Sequence, residues 1–110
     1  MNIEQTTIGQ ATGAARARIA YLSLASRARV AATTARQWAI RHNAALAYLD
    51  GRAAVDSRPY SIREYHYIAD MRRRSEAIAD KLADESMIAR LDYDELTLSI
   101  QAACNADNRG

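Results

Sequence analysis

The stretch that decides the fold is residues 14–49, AARARIAYLSLASRARVAATTARQWAIRHNAALAYL, which holds neither a glycine nor a proline. Alanine, arginine and leucine dominate it, and these residues lose least on entering a helix. The composition predicts one long helix of about 54 Å, with the adjacent β-branched Thr33 and Thr34 as its only soft spot. Within it Tyr21, Leu24, Ala28, Ala31, Ala35, Trp38, His42, Ala45 and Leu49 recur at alternating spacings of three and four. That is a heptad-like seam, and its alanines let a second helix backbone come close. The seam is therefore read as a packing face, against the second helix of the same chain or against a second copy. His42 within it reads as a hydrogen-bonded core or edge histidine rather than a ligand.

Helix breakers place the remaining elements: Gly9 and Gly13 before the stretch, Gly51 and Pro59 after it, and Gly110 at the end. Ser61 and Glu64 make an S-x-x-E capping box, with Tyr60 and Tyr65 at the flanking staple positions, so a second helix is expected from Ser61. Its buried stripe is read as Ile68, Met71, Ser75, Ile78, Leu82, Ser86 and Ala89, with Glu76, Asp80 and Asp84 on the opposite face. Asp92 and Glu95 repeat the capping pattern and predict a third, shorter helix with Tyr93, Leu96, Ile100 and Ala103 along one side. Residues 1–13 and 105–110 are expected to be mobile, since they have little to bury. The expected fold is all-α and a single domain over 1–110: a long antiparallel helical hairpin with a turn at 50–60, plus a short C-terminal helix.

Against 24 alanines the chain has only 8 Leu, 9 Ile and 2 Val, with no Phe. A core this thin predicts that dimerisation completes the fold, because alanine buries little area and a chain of this length is marginal in burial on its own.

A second apolar line runs along the first helix through Ile19, Leu22, Val30, Ile40 and Tyr48. Arg18, Arg29 and Arg36 edge it on one side, and Arg16, Arg27 and Arg41 on the other. An apolar centre rimmed by arginine is the pattern of a protein-binding face. Its plainer alternative is a solvated helix whose arginines snorkel over the chain's own core. Charge is divided in the same sense. Residues 1–52 carry seven arginines against Glu4 and Asp50, net +5, while residues 53–110 carry eight basic against eleven acidic groups, net −3. Such a chain can complement itself or offer the basic helix to an acidic partner. The only basic run, Arg72 to Arg74, is expected to be neutralised locally, Arg74 by Asp70 and Arg72 by Glu76.

Several classes are disfavoured. One cysteine, Cys104, excludes an internal disulfide framework, and with His42 and His66 alone beside it no structural metal site is expected. A reducing cytoplasm fits. No run approaches the roughly 18 apolar residues of a membrane span, so no membrane partner is expected. Residues 11–49 are rich in Arg and hydroxyls and free of acid, as transit peptides are, but the mature-helix reading is preferred. His66 could meet Asp70 one turn on, yet no nucleophile accompanies them, and no cofactor motif or glycine-rich loop appears, so no enzyme and no cofactor are expected.

The long Arg/Ala helix, the turn at residues 51–59 and the capped helix from Ser61 resemble the small all-α anti-activators of LuxR-type quorum-sensing regulators. The resemblance lies in architecture and not in a motif, so it assigns no residue. It implies a compact helical protein that binds a transcriptional regulator and disrupts its dimerisation. The expectation is thus a non-enzymatic, cytoplasmic, homodimeric regulator whose contact is made by Ile19, Leu22, Val30 and Ile40 with Arg18, Arg29 and Arg36 as the rim. Nucleic-acid binding by the arginine-rich helix is the rival class. Inhibition of a host complex by a phage or mobile-element protein would share the first mechanism.

Overall fold

The computed structural model describes residues 3–108, with side chains from Gly9 to Asp107. It contains two helices, α1 (Ile3–Leu49) and α2 (Ile62–Asn108), and no strand among the described residues. Their packing divides into two compact units. One is Arg27–Leu82; the other joins Met1–Ser26 to Ala83–Gly110.

The unit Arg27–Leu82 is a helical hairpin, and its turn is set by two different devices. At the end of α1, Gly51 takes φ 71°, while its N–H donates to the Tyr48 carbonyl (3.1 Å) and the Arg52 N–H donates to the Ala47 carbonyl (2.8 Å). This is the Schellman closure, which needs the left-handed conformation that glycine adopts without steric cost. At the start of α2 the expected capping box forms: the Glu64 N–H donates to Ser61 Oγ (3.0 Å), and the Ser61 N–H reaches back to Glu64 Oε1 (3.4 Å). Tyr60 and Tyr65 both meet α1, Tyr60 with Tyr48 (centroids 6.3 Å) and Tyr65 stacked on His42 (5.3 Å).

Between these ends the seam closes. Ala35 and Ala45 of α1 and Ile68 of α2 are buried, Ala45 completely. Trp38 meets Tyr67 edge-on at 6.0 Å. Arg72 crosses from α2 to donate to His42 Nδ1 (2.7 Å) and, more weakly, to Asn43 Oδ1 (3.4 Å). Arginine can only donate, so the His42 ring presents an unprotonated Nδ1 here. Burying Ile68 contributes about 1.5–3 kcal/mol, and each ring pair about 0.5–1.5 kcal/mol, so these side chains outweigh any single surface ion pair of the unit.

In the other unit the seam continues with Tyr21 and Leu24 of α1 and with Ser86, Ala89 and Tyr93 of α2, all half-buried. Tyr21 and Tyr93 stack, with centroids 6.4 Å apart and planes within 6°. None of this unit's described residues is buried.

Several expectations change. The first helix begins at Ile3 instead of residue 14, passing through Gly9 and Gly13. A glycine costs a helix only about 1 kcal/mol relative to alanine, and the alanine-rich sequence that follows carries the helix through them. The segment 105–108 expected to be loose is likewise helical, while residues 1–2 and 109–110 lie outside the described residues. The separate third helix does not exist, because α2 runs unbroken past Asp92 and Glu95. No glycine or proline interrupts the chain between Ser61 and Asp92, and Arg90 and Asp94 face each other at helical spacing, 3.9 Å apart. Ile78 is exposed, and Ala79 takes its place in the stripe. Leu49 is exposed too, because the Schellman closure ends α1 just beyond it. Thr33 and Thr34 do not bend α1 into a break: their hydroxyls donate to the carbonyls of Arg29 (3.0 Å) and Val30 (3.1 Å) within the helix.

Candidate interaction surfaces

Each unit carries part of the arginine-edged line read from α1. In Arg27–Leu82 the outer side of α1 exposes Val30 (65%) and Ile40 (68%), with Arg29 and Arg36 beside them. In the other unit α1 exposes Ile19 (69%) and Leu22 (47%), with Arg16 and Arg18. The sequence-derived contact residues are therefore solvent-facing, while most of the seam residues are turned inward.

The two helices treat their arginines differently. On α2 the run is neutralised locally: Arg72 pairs with Glu76 (2.9 Å), Arg73 with Asp70 (2.8 Å) and Arg74 with Asp70 (3.0 Å). Asp70 is thereby occupied, and the pairing with His66 that helical spacing would allow does not form; His66 instead meets the Tyr65 ring edge-on at 5.5 Å. On α1, none of Arg16, Arg18, Arg27, Arg29, Arg36 and Arg41 makes an ion pair among the described residues. Arg36 reaches only the Thr33 hydroxyl (3.5 Å). The cause lies in sequence, since no acid occurs between Glu4 and Asp50 and helical neighbours cannot supply one.

Beside the turn of Arg27–Leu82 lies a cavity of about 400 Å³ that sequence reasoning did not anticipate. Trp38 and Arg41 of α1 form one wall, Tyr67 and Ile68 of α2 another, and Arg58, Tyr60 and Glu64 the end next to the turn. Two guanidinium groups lie on aromatic faces there, Arg41 over Trp38 (4.8 Å) and Arg58 over Tyr60 (4.4 Å). Arg58 also binds Glu64 at 2.7 Å. The hydrogen bond from Arg58, followed by that from the Ser61 backbone, holds the Glu64 carboxyl below its ordinary range. The same contact with Glu64, and after it one with Tyr60, raises the Arg58 guanidinium above its ordinary value. Glu64 thus serves α2 as a cap and Arg58 as a counter-ion, which leaves Arg41 as the cavity's uncommitted charge. The one sequence-level signal for this place was Trp38 and Arg41 one turn apart; the other half depends on how residues 58–60 fold back.

Among the described residues no helix is long and apolar enough to cross a membrane, and no group of His, Cys, Asp and Glu side chains is placed to hold a metal ion. Cys104 is exposed. No protein-family model matches the chain, and no curated protein or solved structure was found to be similar to it.

Proposed function

We propose that this protein is a non-enzymatic regulator that acts by occupying a surface on another protein with the outer side of α1. One observation carries the reading: on α1, arginines without ion pairs stand beside exposed Val30 and Ile40, and again beside exposed Ile19 and Leu22. Unpaired guanidinium groups favour an acidic partner and steer its approach, while the isoleucines and valine would be wasted on a phosphate backbone. A transcriptional regulator whose dimerisation is blocked is the specific partner this reading favours, and an inhibitor from a mobile element would work by the same contact. The small number of buried side chains also supports homodimerisation of the regulator itself.

The test is a double variant, Val30→Asp with Ile40→Asp, and separately Leu22→Asp. Partner capture from cells should be lost while far-ultraviolet circular dichroism stays unchanged. A collapse of helicity would instead make these residues part of the chain's own packing and end the interface reading. The same unpaired arginines favour one second reading, binding to nucleic acid. Binding to a random duplex that weakens steeply between two salt concentrations would establish it at the expense of the first.

A further inference from the structure

We infer that the cavity beside the turn of Arg27–Leu82 is a binding site for an aromatic carboxylate, whose ring enters against Trp38, Tyr67 and Ile68 and whose anionic group is met by Arg41. The volume of about 400 Å³ is that of a small-ligand site and exceeds what one aromatic side chain needs. Its apolar lining is largely aromatic, and Trp38 and Tyr67 already stand edge-on to each other at 6.0 Å, an arrangement that a third ring can extend by stacking or edge contact.

Charge selects between ligand classes. An aromatic cage next to a carboxylate would ordinarily suit a quaternary ammonium. Here, however, Glu64 is committed to Arg58 at 2.7 Å, and the cations Arg41 and Arg58 already lie over Trp38 and Tyr60. The lining carries two guanidinium groups against one carboxylate, so a cation is repelled and an anion attracted. Arg41 makes no ion pair, and its planar fork matches a carboxylate in two parallel hydrogen bonds. The Glu64 N–H at the start of α2 is already given to Ser61 Oγ and is not open to the ligand. Arg41 edges the apolar line of the proposed function but is not among the contact residues of that surface, and the rest of the cavity lining belongs to other residues.

Trp38 is the only tryptophan of the chain, so its fluorescence reports on the cavity directly. The full chain would be titrated with 3-phenylpropionate, with the neutral 3-phenylpropanamide and with phenethylammonium. We expect a saturable change in Trp38 emission for the acid, with half-saturation on the order of 0.1–1 mM, and about tenfold weaker binding of the amide. The ammonium should not bind. Arg41→Gln, which removes an exposed guanidinium from over the Trp38 ring and no buried side chain, should equalise the acid and the amide, and Tyr67→Ala should weaken both. A fourth probe, the blocked peptide Gly-Glu-Phe-Gly, distinguishes the sources of this chemistry. Tighter binding of the peptide than of the free acid assigns the site to a protein segment, and the reverse order to a small molecule. No saturable change with the acid or the peptide, equal binding of acid and amide to the unmodified chain, or a preference for the ammonium would overturn the inference. None of these outcomes bears on the Val30 and Ile40 surface, which the partner-capture experiment tests alone.

Discussion

The two units share one seam pattern and fill it differently. In Arg27–Leu82 the heptad positions include Ala35, Ala45 and Ile68, which are buried, beside Ala28, Ala31, Trp38 and His42, which are half-buried. In the unit of Met1–Ser26 and Ala83–Gly110 the equivalent positions hold Tyr21, Leu24, Ser86, Ala89 and Tyr93, and all are half-exposed. Charge separates them as well. Residues 27–82 contain eleven basic and six acidic groups, net +5, while the remainder contains four basic and seven acidic groups, net −3. The turn unit joins its helices by the ring pairs Trp38–Tyr67 and His42–Tyr65 and by the Arg72 to His42 hydrogen bond, where the other unit has the Tyr21–Tyr93 stack. Periodicity thus specifies that two helices pair, whereas the depth of burial depends on which side chains occupy the seam and on neighbours that lock them.

The strongest challenge to that contrast is a pair of truncations. Ile68→Ala should destabilise the protein by about 2–4 kcal/mol, and Leu24→Ala by about half as much, as measured by urea unfolding. A Leu24 variant as damaged as the Ile68 variant would erase the difference between the units. A second pair tests where helices begin. Ser61→Ala removes the cap of α2 and should cost about 1 kcal/mol, whereas Asp92→Ala should be neutral or stabilise by a few tenths, because Asp92 lies inside a helix and aspartate is a poor helix former. A loss of the Ser61 size at Asp92 would restore a third helix. Smaller still, Gly13→Ala should stabilise by roughly 0.5–1 kcal/mol, since no atom outside its own turn lies within 4 Å of the added methyl position. An unchanged melting temperature would mean that α1 does not extend through Gly13.

The smallest expected effect is acid-dependent and confined to the turn unit. The Glu64 carboxyl titrates below its ordinary range because Arg58 and the Ser61 N–H favour the charged form. Its stabilising contribution is complete above the ordinary glutamate range and declines as pH falls toward Glu64's own lower value. Comparing unfolding of the parent chain and of Glu64→Gln across that window should show a parent advantage that disappears in acid. An advantage that grew as pH fell would contradict the ion pair.

Much of this fold was legible because the information is local. The alternation of three and four along α1 locates Ala35, Trp38 and Ala45 on the packed face, and Ser61 with Glu64 announces the start of α2. The reading failed where two helical solutions competed. Between Ser75 and Leu82 both Ile78 and Ala79 fit a helical stripe, and the larger apolar residue drew the choice. The continuing series Arg72, Ser75, Ala79, Leu82, Ser86, Ala89 and Tyr93 passes through the alanine. Asp92 and Glu95 imitate a cap, but a cap requires the preceding residues to leave helical geometry, and nothing in residues 86–91 makes them do so. The cavity beside the turn was not legible, since it exists only because residues 58–60 return across Trp38 and Tyr67, which no periodicity encodes.

The two sides of the turn are built from unlike materials. Gly51 closes α1 chiefly with main-chain hydrogen bonds, beside one exposed ion pair between Arg52 and Asp50 (3.0 Å), whereas α2 opens on the side chains of Ser61, Glu64 and Arg58. The main-chain bonds of the first joint do not depend on proton concentration or ionic strength and its exposed ion pair adds little, while the cap and ion pair of the second respond to both. Acid and salt therefore act on this corner mainly from the α2 side, at the segment around Ser61, and least on the main-chain closure at Gly51.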